Sequence, residues 1–173
     1  MKKLKPQKLT DGNFKPFGWV LKKPDQALDI ESPYLRYWHN TVDLSNLGGL
    51  GMMGFMQVKR VPIICETLLI LFHSIEMYIS LDGKPCIVFV APSKADNAKE
   101  PDLAAVKAFY IEGGESVIIN EGIWHWSPFP LTEDADFGLG LKNNVILQDG
   151  NDFSVDDNEI LYFELPEAIG VEI

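Results

Sequence analysis

From RYWHNTVDL onward the chain is a succession of short apolar or alternating runs: GMMGFMQV, VPIIC, LLILF, MYISL, CIVFV, AFYI, SVIIN, DFGLGL and LYFEL. Runs this short, rich in β-branched and aromatic residues and punctuated by Gly, Pro and Asp, predict strands. Their number predicts an all-β sandwich or barrel. In MYISLDGKPCIVFV, two runs are joined through Asp82-Gly83, a dipeptide suited to the positive φ of a tight hairpin. Upstream, LTDGNFKPFGWVL begins with a polar Thr10 and a short helical turn, and FGWVL then reads as a first strand. The Pro-rich, acidic KPDQALDIESP reads as surface loop. The later helix is expected in EPDLAAVKAF, starting at Pro101 and Asp102 and crossing from one sheet to the next. A single domain over residues 1–173 follows, with residues 1–35 packed on the barrel as helical turn, strand and loop.

Composition narrows this picture. At 173 residues with 46% hydrophobic and 23% charged positions, the chain can bury a sizeable core and is not expected to be disordered. A formal net charge of -10 disfavours nucleic acid and anionic membrane as partners. A small anionic substrate stays open, because a few local Lys or Arg can outweigh the global field. MKKLKPQKL is basic, but no apolar run of signal-peptide length follows, and LLILF is far too short to cross a bilayer. Cys65 and Cys86 lie in strand-like runs and read as buried free thiols in a reducing, cytoplasmic setting. GGLGMMG lacks the spacing of a phosphate or dinucleotide loop and reads as a bend or bulge.

Two spacings carry candidate chemistry: Glu76-x6-Gly83, and Gly114-x5-Asn120-x-Gly122-x2-His125. Both resemble the two halves of the cupin signature. That resemblance implies a jelly-roll barrel in which the motifs face one another, so that Glu76 and His125 meet. Cupin metal sites add a His-x-His ahead of the glutamate; here those positions are apolar, and His73 is the nearby imidazole. Any metal would therefore rest on His125, Glu76 and His73, and residues three apart on a strand face opposite sides unless a bulge intervenes. No cofactor is expected.

A narrower resemblance covers nearly the whole chain. LTDGNFKPFGWVL, RYWHN, SIEMYISLDGKP, IVFVAPSK, EPDLAAVKAFYIEGGESVIINEGIWH and DADFGLGLKNN are similar, in order, to the landmarks of the ureidoglycolate lyase family of cupins. The resemblance implies a cytoplasmic homodimer that splits ureidoglycolate into glyoxylate and urea. The departures are local. LILF stands where the family has Glu-Arg-His-Pro, Glu76 replaces a glutamine, and Ile119-Asn120-Glu121 replaces Tyr-His-Arg. Trp126 replaces a second histidine, and Leu141-Lys142 replaces Asp-Arg.

On this reading Glu76 is the base and His125 the acid or hydrogen-bond donor. Lys142, at the position of the family arginine, holds the substrate carboxylate, and Asn120 bonds its ureido group. Trp124, Tyr78 and Lys59 complete the substrate site, and Arg60 is a further cation able to neutralise a carboxylate. Other readings stay open at each residue: Glu76 on an outward face, His125 as a packed histidine, Trp124 or Trp126 as core or dimer interface, and His39 beside Arg36 on the surface. Three alternatives stand beside the lyase: a non-catalytic module that binds a small acid or sugar, a metal-dependent cupin enzyme, and a structural protein with a filled barrel.

Overall fold

A computed structural model of the protein describes residues 1–23, 30–32, 36–37, 51–142 and 160–172. In chain order its elements are β1 (Lys2–Leu4), β2 (Gln7–Lys8), helix α1 (Asp11–Phe14), β3 (Gly18–Leu21), β4 (Ile30–Glu31), β5 (Arg36–Tyr37), β6 (Gly51–Lys59) and β7 (Ile64–Leu71). They continue with β8 (Glu76–Ser80), β9 (Cys86–Ala91), β10 (Lys107–Ile111), β11 (Ser116–Ile119), β12 (Trp124–His125), β13 (Phe129–Pro130), β14 (Asp134–Lys142) and β15 (Ile160–Val171). The expected all-β fold is present, as two curled sheets and a two-stranded β4-β5 ladder.

The larger sheet has eight strands in the order β1-β15-β7-β12-β9-β10-β2, with β13 paired to β9 off this path. The smaller has five, ordered β3-β11-β8-β14-β6. Its longest ladder joins β14 to β6 from Asp134↔Lys59 to Lys142↔Gly51 without a shift of register.

Alternation along β9 shows how the sequence builds two cores. Cys86, Val88 and Val90 enter the cluster between the sheets, with Tyr78, Phe109, Val117, Ile119 and Phe137. Ile87, Phe89 and Ala91 enter a second cluster on the other face of the large sheet, with Leu68, Ile70, Trp124 and Phe129. CIVFV is continuously apolar because both of its faces are covered.

The N-terminal helical turn forms as expected. Thr10 Oγ1 accepts the Asn13 N–H at 3.2 Å and Asn13 Oδ1 accepts the Thr10 N–H at 2.9 Å, a reciprocal capping box. This turn delivers the fully buried Phe14 against the rings of Phe17 and Phe109.

Three expectations are corrected. MYISLDGKPCIVFV is not a hairpin, since β8 belongs to the small sheet and β9 to the large one. Asp82-Gly83 does turn the chain, with Gly83 at φ 70°, but the turn is a corner between sheets. Leu81 N–H stays bonded to the Asp136 carbonyl beside β14, and Lys84 is held by Asp82 and Asp134. Ladder pairing with distant β14 and β11 outweighs the local turn signal. Second, EPDLAAVKAF contains no helix. Asp102 closes a turn by accepting the Ala104 N–H on its side chain and the Ala105 N–H on its carbonyl, and β10 then pairs with β9 in the same sheet. Third, FGWVL is not the first strand, since MKKLKPQKL supplies two short strands ahead of it, pairing in parallel with β15 and β10. Among the described residues no helix is long and apolar enough to cross a membrane.

Candidate functional site

Register decides which side chains meet. On β11, Ile119 lies opposite Glu76 and Val117 opposite Tyr78. Val117 and Ile119 belong to the cluster between the sheets, so Glu76 and Tyr78 face inward while Met77 faces out. After β11 the chain leaves the small sheet through Asn120-Glu121-Gly122. Gly122 takes φ 74°, open to glycine at little cost, and its N–H bonds the Leu71 carbonyl at 2.8 Å. This anchor sets β12 between β7 and β9, where His125 lies opposite Val90 and Trp124 opposite Ala91. Val90 faces the space between the sheets and Ala91 the second core. His125 is thereby aimed at Glu76, and Trp124 away from it.

The result is a buried polar network. His125 Nε2 lies 2.7 Å from Glu76 Oε2, and the Tyr78 hydroxyl donates to Glu76 Oε1 at 2.8 Å. His125 Nδ1 lies 2.8 Å from the Ile123 carbonyl oxygen. Because a carbonyl can only accept, Nδ1 carries a hydrogen, and one further proton is shared between Nε2 and Oε2. His125 and Tyr78 are each 1% exposed and Glu76 8%. Burial first, and then the neighbouring Glu76 carboxylate, push the Tyr78 phenol well above its ordinary range, while Ser127 works the other way. Tyr78 therefore keeps its proton and acts as a donor. No buried side-chain nitrogen or oxygen among the described residues lacks a partner. Such an arrangement can take up and return a proton without a buried orphan charge.

Other expected site residues lie elsewhere. Lys59 and Lys142 sit at positions of β6 and β14 that alternate with the inward Met56 and Phe137, which places both on the outer face of the small sheet. Trp124 packs in the second core, donating Nε1–H to Ser93 Oγ at 3.1 Å with its ring edge-on to Phe163. Asn120 begins the turn after β11, its N–H bonded to the Phe17 carbonyl. His73 is exposed in the bend after β7, and among the described residues no three His, Cys, Asp or Glu side chains converge to hold a metal. His39 lies outside the described residues. Glu76 and His125 are in direct contact, with Leu69 opposite His125 across the β12-β7 ladder. Arg60 lines two surface clefts, one with Met1, Lys3 and Val171 and one with Lys59, Glu133 and Asp134, and neither includes the pair.

Trp126 is half-buried and packs against the Leu69 cluster and, at 6.5 Å, against the Tyr162 ring; sequence reasoning missed Ser127, beside the Tyr78 phenol. Ser127 follows the second motif without any spacing of its own. Nothing local marks it.

Cys65 and Cys86 are free and buried, and burial pushes each thiol up to about 12. The thiolate is the reactive form. Both thiols are accordingly expected to resist alkylation by iodoacetamide at neutral pH in native protein and to react fully in denaturant, read by intact-mass spectrometry.

Residues 1–159 match the family model described as ureidoglycolate lyase. Ureidoglycolate lyases from Burkholderia mallei strains NCTC 10229 and NCTC 10247 are each 26% identical to the chain over 142 residues, covering 79% of it and 81% of the relative. RmlC from Streptococcus suis, solved in complex with dTDP-D-xylose, aligns with a TM-score of 0.40 at 11% identity, covering 54% of this chain and 44% of that one. With the match spanning most of its length, the chain belongs to the ureidoglycolate lyase family.

Proposed function

We propose that this protein is a carbon-nitrogen lyase that splits ureidoglycolate into glyoxylate and urea, with Glu76 and His125 exchanging the protons. The observation that carries the reading is the 2.7 Å contact between His125 Nε2 and Glu76 Oε2. Ureidoglycolate bears a hydroxyl and a ureido nitrogen on one carbon. Glu76 removes the hydroxyl proton, the electrons of the O–H bond form the carbonyl, and the C–N bond breaks toward nitrogen. His125 gives its Nε2 proton to the departing urea. Transfer of the proton from Glu76 back to Nε2 across the short contact restores the resting pair, so no proton is gained or lost. Neither a covalent intermediate nor a redox partner is required. The test is glyoxylate release from ureidoglycolate by wild type, Glu76→Gln and His125→Ala. Equal rates remove the pair from catalysis.

A second reading, a binding module without turnover, draws support from the near-complete burial of the pair and from Lys59 and Lys142 lying on the outer face. Calorimetry showing saturable binding of ureidoglycolate with no product selects it.

The reading extends to a cytoplasmic homodimer. Trp19, Met53, Phe55 and Leu81 are 44%, 65%, 68% and 57% exposed, and the first three lie on the outer face of the small sheet. Light scattering on a sizing column is expected to give about twice the 19.4 kDa chain mass, and Phe55→Glu to shift it toward the monomer.

A further inference from the structure

We infer that Tyr78 is a positioning residue for the proton exchange, acting through Glu76 without touching substrate. This rests on the lyase reading above and adds to it a residue that fixes which carboxylate oxygen does the work. A glutamate at the end of three rotatable bonds can offer either oxygen to its partner. Here Oε1 is occupied by the Tyr78 hydroxyl at 2.8 Å, leaving Oε2 to His125 at 2.7 Å.

The tyrosine cannot swing away. Its ring is 1% exposed and wedged edge-on between Phe137 at 6.1 Å and His125 at 6.3 Å. Ser127, beside the phenol, favours its ionised form and so strengthens the hydroxyl as a donor to Glu76. Tyr78 and Glu76 lie two apart on one face of one strand, so the device is built into the register of β8 and needs no moving part.

Tyr78→Phe removes the hydroxyl and keeps the ring. It is expected to lower kcat for ureidoglycolate about tenfold with KM changed less than about twofold. A second readout does not depend on turnover: the nitrogen-15 shift of His125 Nε2 in histidine-labelled protein, assigned with His125→Asn. In resting Tyr78→Phe this shift is expected to leave its wild-type value, because a carboxylate no longer tethered at Oε1 does not hold Oε2 at 2.7 Å from Nε2. Ser127→Ala should move it the same way by less. An unmoved shift in Tyr78→Phe overturns the inference whatever kcat does, since a fall in rate without it means lost packing alone. If wild type releases no glyoxylate but the shift moves, the lyase reading fails while the positioning of the pair stands.

Discussion

Glu76→Gln is expected to lower glyoxylate release by roughly 10²–10⁴-fold, the range typical of losing a positioned acid-base group. Glutamine keeps the length and the hydrogen-bonding outline of the side chain, so the His125 and Tyr78 contacts can be re-formed with neutral partners. What it cannot do is accept and return a proton at Oε2. Circular dichroism and the melting temperature should therefore stay near wild type while kcat collapses. His125→Ala should lose as much activity but also stability, because it strands the Glu76 carboxylate in a site 8% exposed. Removing one partner of a buried ion pair costs about 3–5 kcal/mol. Comparing the two variants separates chemistry from folding. A Glu76→Gln enzyme with wild-type kcat would show that the pair is architecture only.

Gly18→Ala is expected to destabilise the protein by about 3 kcal/mol or more, from a single methyl group. Gly18 opens β3, opposite Ile119 on β11, and a Cβ built there would lie 1.8 Å from the Ile118 carbonyl oxygen and 2.9 Å from its carbon. Those atoms are backbone inside a ladder, so relief requires β3 to peel from the edge of the small sheet. Val20 and the Phe14-Phe17 turn would lose packing with it. A melting point lower by on the order of 10 °C follows for a chain of this size. Gly12→Ala is the control: nothing lies within 4 Å of its Cβ, and it sits in helix α1, where alanine is favoured. Equal melting points for the two variants would show that β3 does not hold this position.

Much of the fold was legible because strands announce themselves locally. CIVFV, SVIIN and DFGLGL carry the length, branching and punctuation of strands whatever they later pair with. The Thr10 cap was legible for the same reason, since its partner Asn13 is three residues away. The hairpin expected at Asp82-Gly83 and the helix expected at Pro101 failed where local preference met pairing over long distance. Leu81 answers to Asp136, and Lys107 to Val90. At the site, the spacing of the two motifs pointed to Glu76 and His125, but not to their direct contact or to the Tyr78-Ser127 chain behind it. Lys142 and Lys59 looked equally available in sequence. One ladder sent both outward.

By itself, then, the sequence determined that the fold is all-β, where β3, β6, β8, β9, β10 and β11 begin and end to within a residue, and which two titratable side chains lie on motifs that can face each other. These are properties of neighbours along the chain, set by alternation and turn chemistry. Only the tertiary structure decided which face each residue presents to which sheet, because a strand's inward side depends on a register fixed by partners tens of residues away. Moving β12 by one position would aim Trp124 at Glu76 and bury His125 in the second core.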